Sequence, residues 1–359
     1  MTENAKKHVD SCRFCWMCRH ICPIGNATGL ERNTARARAL GLSLVNRGVY
    51  GIEEVADNLY ECACCGACTK ECVTGWDPVM FTKEARLDAA MQGKLPAYIE
   101  KLVDACLQNG NAYGKTELDA SLQKQIQKHS AKTDTLLFLG VDARYMAPEF
   151  AVRAIGALEK TGIAFTVLAD ERPSGWQLEY LIGAAGETKE MMQKCAEQLN
   201  DYSQVIVYDP QDAKVFKREY KEWEVTLNAG VVTYTTFLAN CVKNGSLKTA
   251  KTGIRAVYQD PFQLARDLKE TEEPRSLISA YADLSEMLCF GKDTMWAGNI
   301  LMAQWMPEVI TKVAADRLAN VRGVGADTVI SASVSETKAL QSVNQDSVRI
   351  LSVEELILG

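Results

Sequence analysis

Two runs of four cysteines with identical spacing constrain this chain more than any other feature of its sequence. Each run reads Cys-x2-Cys-x2-Cys-x3-Cys. The cysteines are Cys12, Cys15, Cys18 and Cys22 in the first run and Cys62, Cys65, Cys68 and Cys72 in the second. Thiolates three residues apart in a tight loop can surround one 4Fe-4S cluster, and proteins with two such clusters use this spacing. The sequence therefore predicts two 4Fe-4S clusters held by residues before position 73.

The fourth cysteine of each run is expected to ligate the cluster of the other run, as in paired runs of this type. The first cluster is therefore assigned to Cys12, Cys15, Cys18 and Cys72. The second cluster is assigned to Cys62, Cys65, Cys68 and Cys22. Structural zinc is the alternative, but zinc takes four ligands, usually as two Cys-x2-Cys pairs. Cys64 does not fit the spacing and is expected to be a buried free thiol, and Val73 replaces the proline that follows the first run.

The distribution of cysteine and charge narrows the class of protein further. Nine of the 13 cysteines lie before residue 73, and such clustering favours metal over a disulfide scaffold. The net charge of −6 argues against nucleic acid as the main partner. The sequence has no run of about 18 apolar residues and no apolar core of a signal peptide near its N-terminus. We expect a cytoplasmic location without a transmembrane segment, with peripheral membrane association through a partner left open.

The residues around the two runs carry helical patterns. Apolar positions recur at helical spacing within residues 28–46 and 52–60, and Asp77-Pro78 is a start signal for another helix. These helices resemble the α-helical ferredoxin domain found in succinate dehydrogenase and heterodisulfide reductase, rather than a short β-rich ferredoxin. Three arginines on the first helix are predicted to form a solvated face, with partner docking as the alternative: Arg32, Arg36 and Arg38.

Beyond residue 110 the pattern changes to short apolar runs that alternate with helices. Strands are predicted at residues 135–139, 164–168, 205–208, 231–234, 255–258, 328–331 and 348–351. Helices are predicted at residues 148–160 and 176–186. Such alternation is typical of parallel βαβ units. The predicted fold is an α-helical ferredoxin domain (residues 1–110) followed by an α/β region of two similar βαβ-type halves (residues 111–225 and 226–359).

No catalytic residue is predicted. No G-x-G-x-x-G sequence follows a strand in the required context, and no P-loop is present. The three histidines, His8, His20 and His129, leave little room for a histidine-based active site.

The arrangement as a whole resembles the cysteine-rich (CCG) domain iron–sulfur subunits. These are related to heterodisulfide reductase, to the glycolate oxidase iron–sulfur subunit and to a subunit of anaerobic glycerol-3-phosphate dehydrogenase. In that family each half carries a single Cys, a Cys-Cys-Gly and a Cys-x2-Cys, which bind a further cluster. The corresponding positions here are Gly140-Val141, Pro173-Ser174-Gly175, Asp209 and Asp212 in the first half, and Tyr258-Gln259-Asp260-Pro261-Phe262, Cys289-Phe290-Gly291, Ser333 and Glu336 in the second. Of ten expected cysteines only Cys289 remains.

These substitutions imply that the two halves bind no cluster and act as a scaffold. The alternative is a harder metal held by Asp209, Asp212 and Glu336. The resemblance implies an electron-transfer subunit that relays single electrons to or from a flavin-containing dehydrogenase or oxidoreductase partner. Two other hypotheses remain: a stand-alone disulfide or quinone reductase, and a structural iron–sulfur subunit.

Overall fold

The computed structural model describes residues 1–344 and 348–359, and it is largely helical. The α-helices are α1 (Glu3–Asp10), α2 (Met17–Ile21), α3 (Pro23–Thr28), α4 (Ala35–Asn46), α5 (Ala56–Tyr60), α6 (Ala67–Glu71), α7 (Pro78–Met91), α8 (Ala97–Asn109), α9 (Ala120–Lys128), α10 (Pro148–Glu159), α11 (Trp176–Ile182), α12 (Gly186–Leu199), α13 (Pro210–Lys214), α14 (Tyr220–Glu222), α15 (Tyr234–Lys243), α16 (Glu272–Ser279), α17 (Pro307–Arg322), α18 (Val334–Val343) and α19 (Val353–Leu358). No helix formed by the described residues is long and apolar enough to cross a membrane.

Within the residues that the structure describes, seven strands form two small parallel sheets. They are β1 (Thr135–Phe138), β2 (Gln204–Val207), β3 (Gly230–Thr233), β4 (Arg255–Gln259), β5 (Asp283–Ser285), β6 (Thr328–Ser331) and β7 (Arg349–Ser352). Short π-helical segments follow β1, α13 and β4 at Asp142–Met146, Val215–Glu219 and Gln263–Leu268. Helices followed by an α/β region are the architecture predicted from the sequence.

Local sequence signals set the helices that carry the cysteine runs. Asp77 caps α7, and its carboxylate accepts from the backbone N–H groups of Val79 (3.1 Å) and Met80 (3.2 Å). Pro78 occupies the first helical position, where its missing N–H removes no hydrogen bond. The helix predicted from Asp77-Pro78 is therefore confirmed.

The helix predicted over residues 28–46 is interrupted. Helix α3 ends at Thr28, and Gly29 follows in the left-handed conformation (φ 68°). A short 3₁₀ turn precedes α4, whose cap is Thr34; the hydroxyl of Thr34 accepts from the N–H of Ala37 at 3.5 Å. A glycine in the left-handed region ends one helix and a threonine cap begins the next, so the apolar spacing alone overestimated the helix length.

The first sheet has the order β1-β2-β3, with Leu136 opposite Val205 and Ile206 opposite Val232. The strand predicted at residues 164–168 is reduced to one bridge, between Leu136 and Thr166 on the free side of β1. The second sheet has the order β5-β4-β6-β7. The bridge segment around Thr166 can be counted as a further strand of the first sheet. The two sheets then have the same topology: the strand that comes second along the chain lies at one edge, followed by the first, the third and the fourth.

Strand β3 belongs to the first sheet, because it pairs with β2 along its whole length. The two sheets therefore separate between Thr233 and Arg255, and not at residue 225 as the strand pattern suggested. Strand β5 was not predicted because it has only three residues and both of its ends, Asp283 and Ser285, are polar and exposed. Periodicity identifies a strand but does not show which sheet it joins.

The helical N-terminal region packs directly onto both halves of the α/β region. The hydroxyl of Tyr60 donates to the carbonyl of Leu181 at 2.7 Å, and the indole N–H of Trp305 donates to the carbonyl of Tyr60 at 3.1 Å. Helix α3 lies against α17 of the second half. These contacts fix the two cysteine runs against the rest of the chain.

Candidate iron–sulfur site

The second cysteine run shares a cavity with the last cysteine of the first run. The cavity is lined by Cys22, Cys62, Cys65 and Cys68. Apolar side chains, among them Ile24 and Val79, also line it, together with the polar side chains of Asn33 and Arg38. We call this the inner cavity.

The other four cysteines surround a second cavity. It is lined by Cys12, Cys15, Cys18 and Cys72, together with Trp16 and Trp76. We call this the outer cavity. The structure thus groups all eight predicted ligands into two sets of four, and each set takes its fourth cysteine from the other run. This grouping matches the crossed assignment made from the sequence, and ligation itself stays a prediction.

The two runs fold into loops of the same conformation. In each loop the backbone N–H of the residue two positions after the first cysteine donates to the sulfur of that cysteine. The donors are Phe14 to Cys12 and Cys64 to Cys62, both at 3.4 Å. Phe14 (φ 56°) and Cys64 (φ 51°) are left-handed, as are Trp16 and Gly66 two residues further on. Left-handed backbone costs non-glycine residues about 1–2 kcal/mol, and such strain concentrates at functional sites.

The donor set fits an iron–sulfur cluster better than a single metal ion. Thiolates are the soft ligands that zinc and iron–sulfur clusters prefer. Within residues 1–344 and 348–359, no group of three or more His, Cys, Asp or Glu side chains is placed to hold one metal ion. The sulfurs instead surround cavities, which suits a group of several atoms.

The two cavities differ in their access to solvent. At the outer cavity Cys15 is exposed, and the neighbouring side chains of Phe14 and Trp16 are 51% and 41% exposed. At the inner cavity Cys65 is buried in an apolar cluster that includes Trp296 and Met302 of the second half. The outer cavity therefore lies at the surface, whereas the α/β region covers the inner one.

The difference in burial between the two cavities also changes the pKa values of their thiols. Burial raises the pKa of Cys22 to about 12, and burial raises the pKa of Cys68 well above its ordinary value. At the outer cavity the pKa of Cys72 lies below its ordinary value. Partial burial raises this pKa, but hydrogen bonds from Thr74 lower it by more, and the hydroxyl of Thr74 lies 3.2 Å from the sulfur. Cys22 and Cys68 must therefore release protons when they bind metal.

Cys64 is buried, as predicted, and lies outside both cavities. Its thiol is hydrogen-bonded to the sulfur of Cys62, which lowers the pKa of Cys62. Its position in the loop is that of Phe14 in the first run. Cys64 is thus a neighbour of a predicted ligand, not a fifth cysteine of the inner cavity.

The prediction that Arg32, Arg36 and Arg38 form a solvated face is wrong for Arg38. Arg38 is 2% exposed and lines the inner cavity. Arg36 lines the outer cavity, and only Arg32 is exposed. Sequence analysis also missed Arg86 and Arg266, which donate to carbonyl groups of the second cysteine loop.

In the first half, the residues that replace the family's cysteines come together and are buried. Asp209 and Asp212 are each 1% exposed, and the hydroxyl of Ser174 donates to Asp212. A side chain at Gly140 would collide with the carboxylate of Asp212. Burial and the neighbouring Asp142 raise the pKa of Asp209 to about 8, so a proton occupies this site at neutral pH.

In the second half, the equivalent space is filled by a polar network. The side-chain amide of Gln259 donates to Glu336 at 2.6 Å and accepts from Arg317 at 2.5 Å. Burial raises the pKa of Glu336 to about 8. Arg317 also donates to the carbonyl of Cys289. Asp209 and Asp212 lie in the first half and Glu336 in the second, so the residues of the harder-metal alternative belong to two different sites.

The fold and the cysteine grouping are those expected of an iron–sulfur protein. Residues 8–76 match the family profile described as a 4Fe-4S dicluster domain. This match supports 4Fe-4S clusters as the cofactor of the N-terminal region.

Curated relatives extend the comparison to the whole chain. The dihydromethanophenazine:CoB–CoM heterodisulfide reductase of Methanosarcina mazei has a subunit that is 23% identical over 97% of this chain and 92% of its own length. A probable iron–sulfur-binding oxidoreductase of Bacillus subtilis is 22% identical over 73% of this chain and 40% of its own length. A probable membrane-anchored ferredoxin of Chromohalobacter salexigens is 24% identical over 74% of this chain and 40% of its own length.

These relatives confirm the predicted resemblance to iron–sulfur subunits related to heterodisulfide reductase. They support an electron-transfer role as a subunit of an oxidoreductase.

Proposed function

We propose that this chain relays single electrons through two 4Fe-4S clusters to or from a flavin-containing dehydrogenase or oxidoreductase subunit. The observation that carries the proposal is the pair of similar cavities, each surrounded by four cysteines with one contributed by the other run. A bound 4Fe-4S cluster takes up and releases electrons one at a time. Two-electron chemistry on carbon needs a cofactor such as flavin, and this sequence has no nucleotide-binding fingerprint.

In this proposal Cys12, Cys15, Cys18 and Cys72 hold the outer cluster, and Cys22, Cys62, Cys65 and Cys68 hold the inner cluster. The α/β region then acts as a scaffold. It covers the inner cavity with apolar side chains and fills its own former ligand positions with Asp209, Asp212 and Glu336. A site filled by hydrogen-bonded carboxyl groups has no thiolates to offer a further cluster.

The partner is proposed to dock on the face around Cys15. Four apolar side chains there are 39–82% exposed: Phe14, Trp16, Met17 and Val73. Exposed apolar patches mark interaction sites, and aromatic residues and arginine are enriched in interfaces. The guanidinium of Arg36 lies 4.1 Å from the ring centroid of Trp16, and that of Arg19 lies 5.4 Å from the same ring. A partner at this face would approach the outer cavity closely.

The test is purification of the native complex under anaerobic conditions, followed by analysis of its flavin and of the protein chains it contains. A double variant, Phe14→Ser with Trp16→Ser, should keep its iron but lose the flavoprotein. Leu107→Ser on α8 is the matched control, because Leu107 is 47% exposed and lies away from the cysteine loops in sequence. The control should retain the partner.

The isolated chain should bleach with dithionite and should turn over no organic substrate. Substrate oxidation by the purified chain in the absence of flavin would contradict the relay. Retention of the flavoprotein by the double variant would contradict the docking face only.

A further inference from the structure

Three arginines from separate parts of the chain converge on the second cysteine loop. Arg38 donates to the carbonyl of Glu61 (3.3 Å), Arg86 to that of Cys62 (2.8 Å) and Arg266 to that of Cys65 (2.8 Å). They come from α4, α7 and the π-helical segment after β4. The first cysteine loop has the same spacing and conformation, but no arginine within the described residues donates to its carbonyl groups at the corresponding positions.

Two of these arginines are fully buried cations. Arg86 is 0% exposed and Arg38 is 2% exposed. The remaining donors of Arg86 go to the carbonyls of Leu59 and Tyr180. Its guanidinium also lies between the rings of Tyr60 and Tyr180, 4.7 Å and 4.4 Å from their centroids. Carbonyl groups satisfy the hydrogen bonds of a guanidinium but leave its charge uncompensated.

None of the three arginines forms an ion pair with a carboxylate in the described part of the chain. The carboxylate of Glu61 binds Arg32 at 2.6 Å and the side-chain amides of Asn33 and Asn58. Glu179 and Glu336 interact with Arg86 and Arg266 only electrostatically; Glu179 is paired with Lys83, and Glu336 accepts from Gln259. The buried Nη2 of Arg266 has no hydrogen-bond partner among the described residues. Burying an unpaired charge costs several kcal/mol, so a negative group is expected beside these arginines.

The inner cavity supplies the position for that group. Arg38 lines the cavity directly, and the carbonyl of Asn33 that accepts from Arg38 also lies 3.6 Å from the sulfur of Cys22. Four thiolates around a cluster make a negatively charged group, and reduction adds one further negative charge. Burial opposes that added charge, whereas adjacent cations favour it.

We propose that Arg38, Arg86 and Arg266 are positioning residues that supply the counter-charge for the inner 4Fe-4S cluster and thereby raise its reduction potential selectively. The inference rests on the proposed function in that it requires the cluster to be bound. The outer cavity lacks this arrangement. Two arginines line it, Arg13 and Arg36, but Arg13 is exposed to solvent and Arg36 is paired with Glu31 at 3.2 Å.

The test is a redox titration of the reconstituted protein followed by electron paramagnetic resonance, which measures the midpoint potential of each cluster. The signals are assigned with Cys22→Ala, which removes one ligand of the inner cavity. Arg38→Gln and Arg266→Gln should each lower the midpoint of the inner cluster by about 59 mV or more. That shift is a tenfold change in the ratio of reduced to oxidised form for one electron.

Arg38→Lys should retain most of the potential, because it keeps the positive charge. Arg36→Gln is the matched control and should leave the inner midpoint unchanged. Arg86→Gln should lower the inner midpoint as Arg38→Gln does. If Arg86→Gln fails to fold, the variants of Arg38 and Arg266 still test the inference, and Arg266 is only partly buried.

Equal shifts of both clusters, or an unchanged inner midpoint in Arg38→Gln and Arg266→Gln, would overturn the inference while leaving the relay intact. A wild-type protein that binds no inner cluster would instead overturn the proposed function, and the inference with it.

Discussion

Replacing Asp209 with asparagine should stabilise this protein at neutral pH and remove part of its pH dependence. Asp209 is buried beside Asp142 and Asp212 in the first half of the α/β region. Its Oδ1 accepts from the N–H of Gln211 at 2.9 Å, and its Oδ2 has no hydrogen-bond partner among the described residues. An asparagine can keep the first of these interactions and cannot ionise.

The magnitude follows from the pKa. Burial, with a smaller contribution from Asp142, raises the pKa of Asp209 from 3.8 to about 8. The folded protein therefore keeps a proton that the unfolded chain releases above pH 4. The stabilising contribution is complete below that pH and is lost as the pH rises to about 8. One pKa unit corresponds to 1.36 kcal/mol, so roughly 4 kcal/mol of unfolding free energy is lost by pH 7.

Urea unfolding under anaerobic conditions, followed by tryptophan fluorescence, measures the effect. The wild-type midpoint should fall between pH 5 and pH 8, whereas Asp209→Asn should show a smaller fall and a higher midpoint at pH 8. Asp104→Asn is the control, because Asp104 is exposed on α8, and it should behave like the wild type. An Asp209→Asn protein that keeps the full pH dependence, or that is less stable at pH 8, would refute the reasoning.

Three further outcomes are expected. Cys64→Ser should retain the wild-type iron content, whereas Cys65→Ser should lose about half of it, because only Cys65 lines the inner cavity; equal losses would contradict the grouping. Cys22→Ala should remove the paramagnetic signal of the cluster shared with Cys62, Cys65 and Cys68, and loss of only the other signal would contradict the crossing. Ser352→Ala should lower the unfolding free energy by about 1 kcal/mol, because it breaks the capping box with Glu355 at the start of α19; an unchanged urea midpoint would count against that assignment.

The cysteine grouping could be predicted because spacing acts locally. Cysteines at positions 12, 15 and 18 must lie on one loop, and the equal spacing of the second run forces the same conformation, which the left-handed residues Phe14 and Cys64 adopt. Strands β1, β2 and β6 could be predicted for a similar reason, since each is a short buried run of apolar residues.

The arginines could not be predicted, because their burial depends on contacts distant in sequence. Arg86 lies on α7, and its environment is completed by Tyr180, which is 94 residues away. Arg266 reaches the carbonyl of Cys65 across 201 residues. Likewise β3 lies close in sequence to the second half. Only its pairing with β2 in the structure shows that it joins the first sheet. Sequence periodicity reports which positions are apolar and carries no information on which distant element covers them.

The central claim is that this chain holds two 4Fe-4S clusters and that its α/β region holds none. The most direct test is the iron and acid-labile sulfide content of the anaerobically purified wild-type chain. We expect about eight iron and about eight sulfide per chain, the content of two such clusters. About four of each would mean that one cavity holds no cluster, and about twelve would mean that the α/β region binds a cluster despite its lost cysteines; either result would contradict the claim.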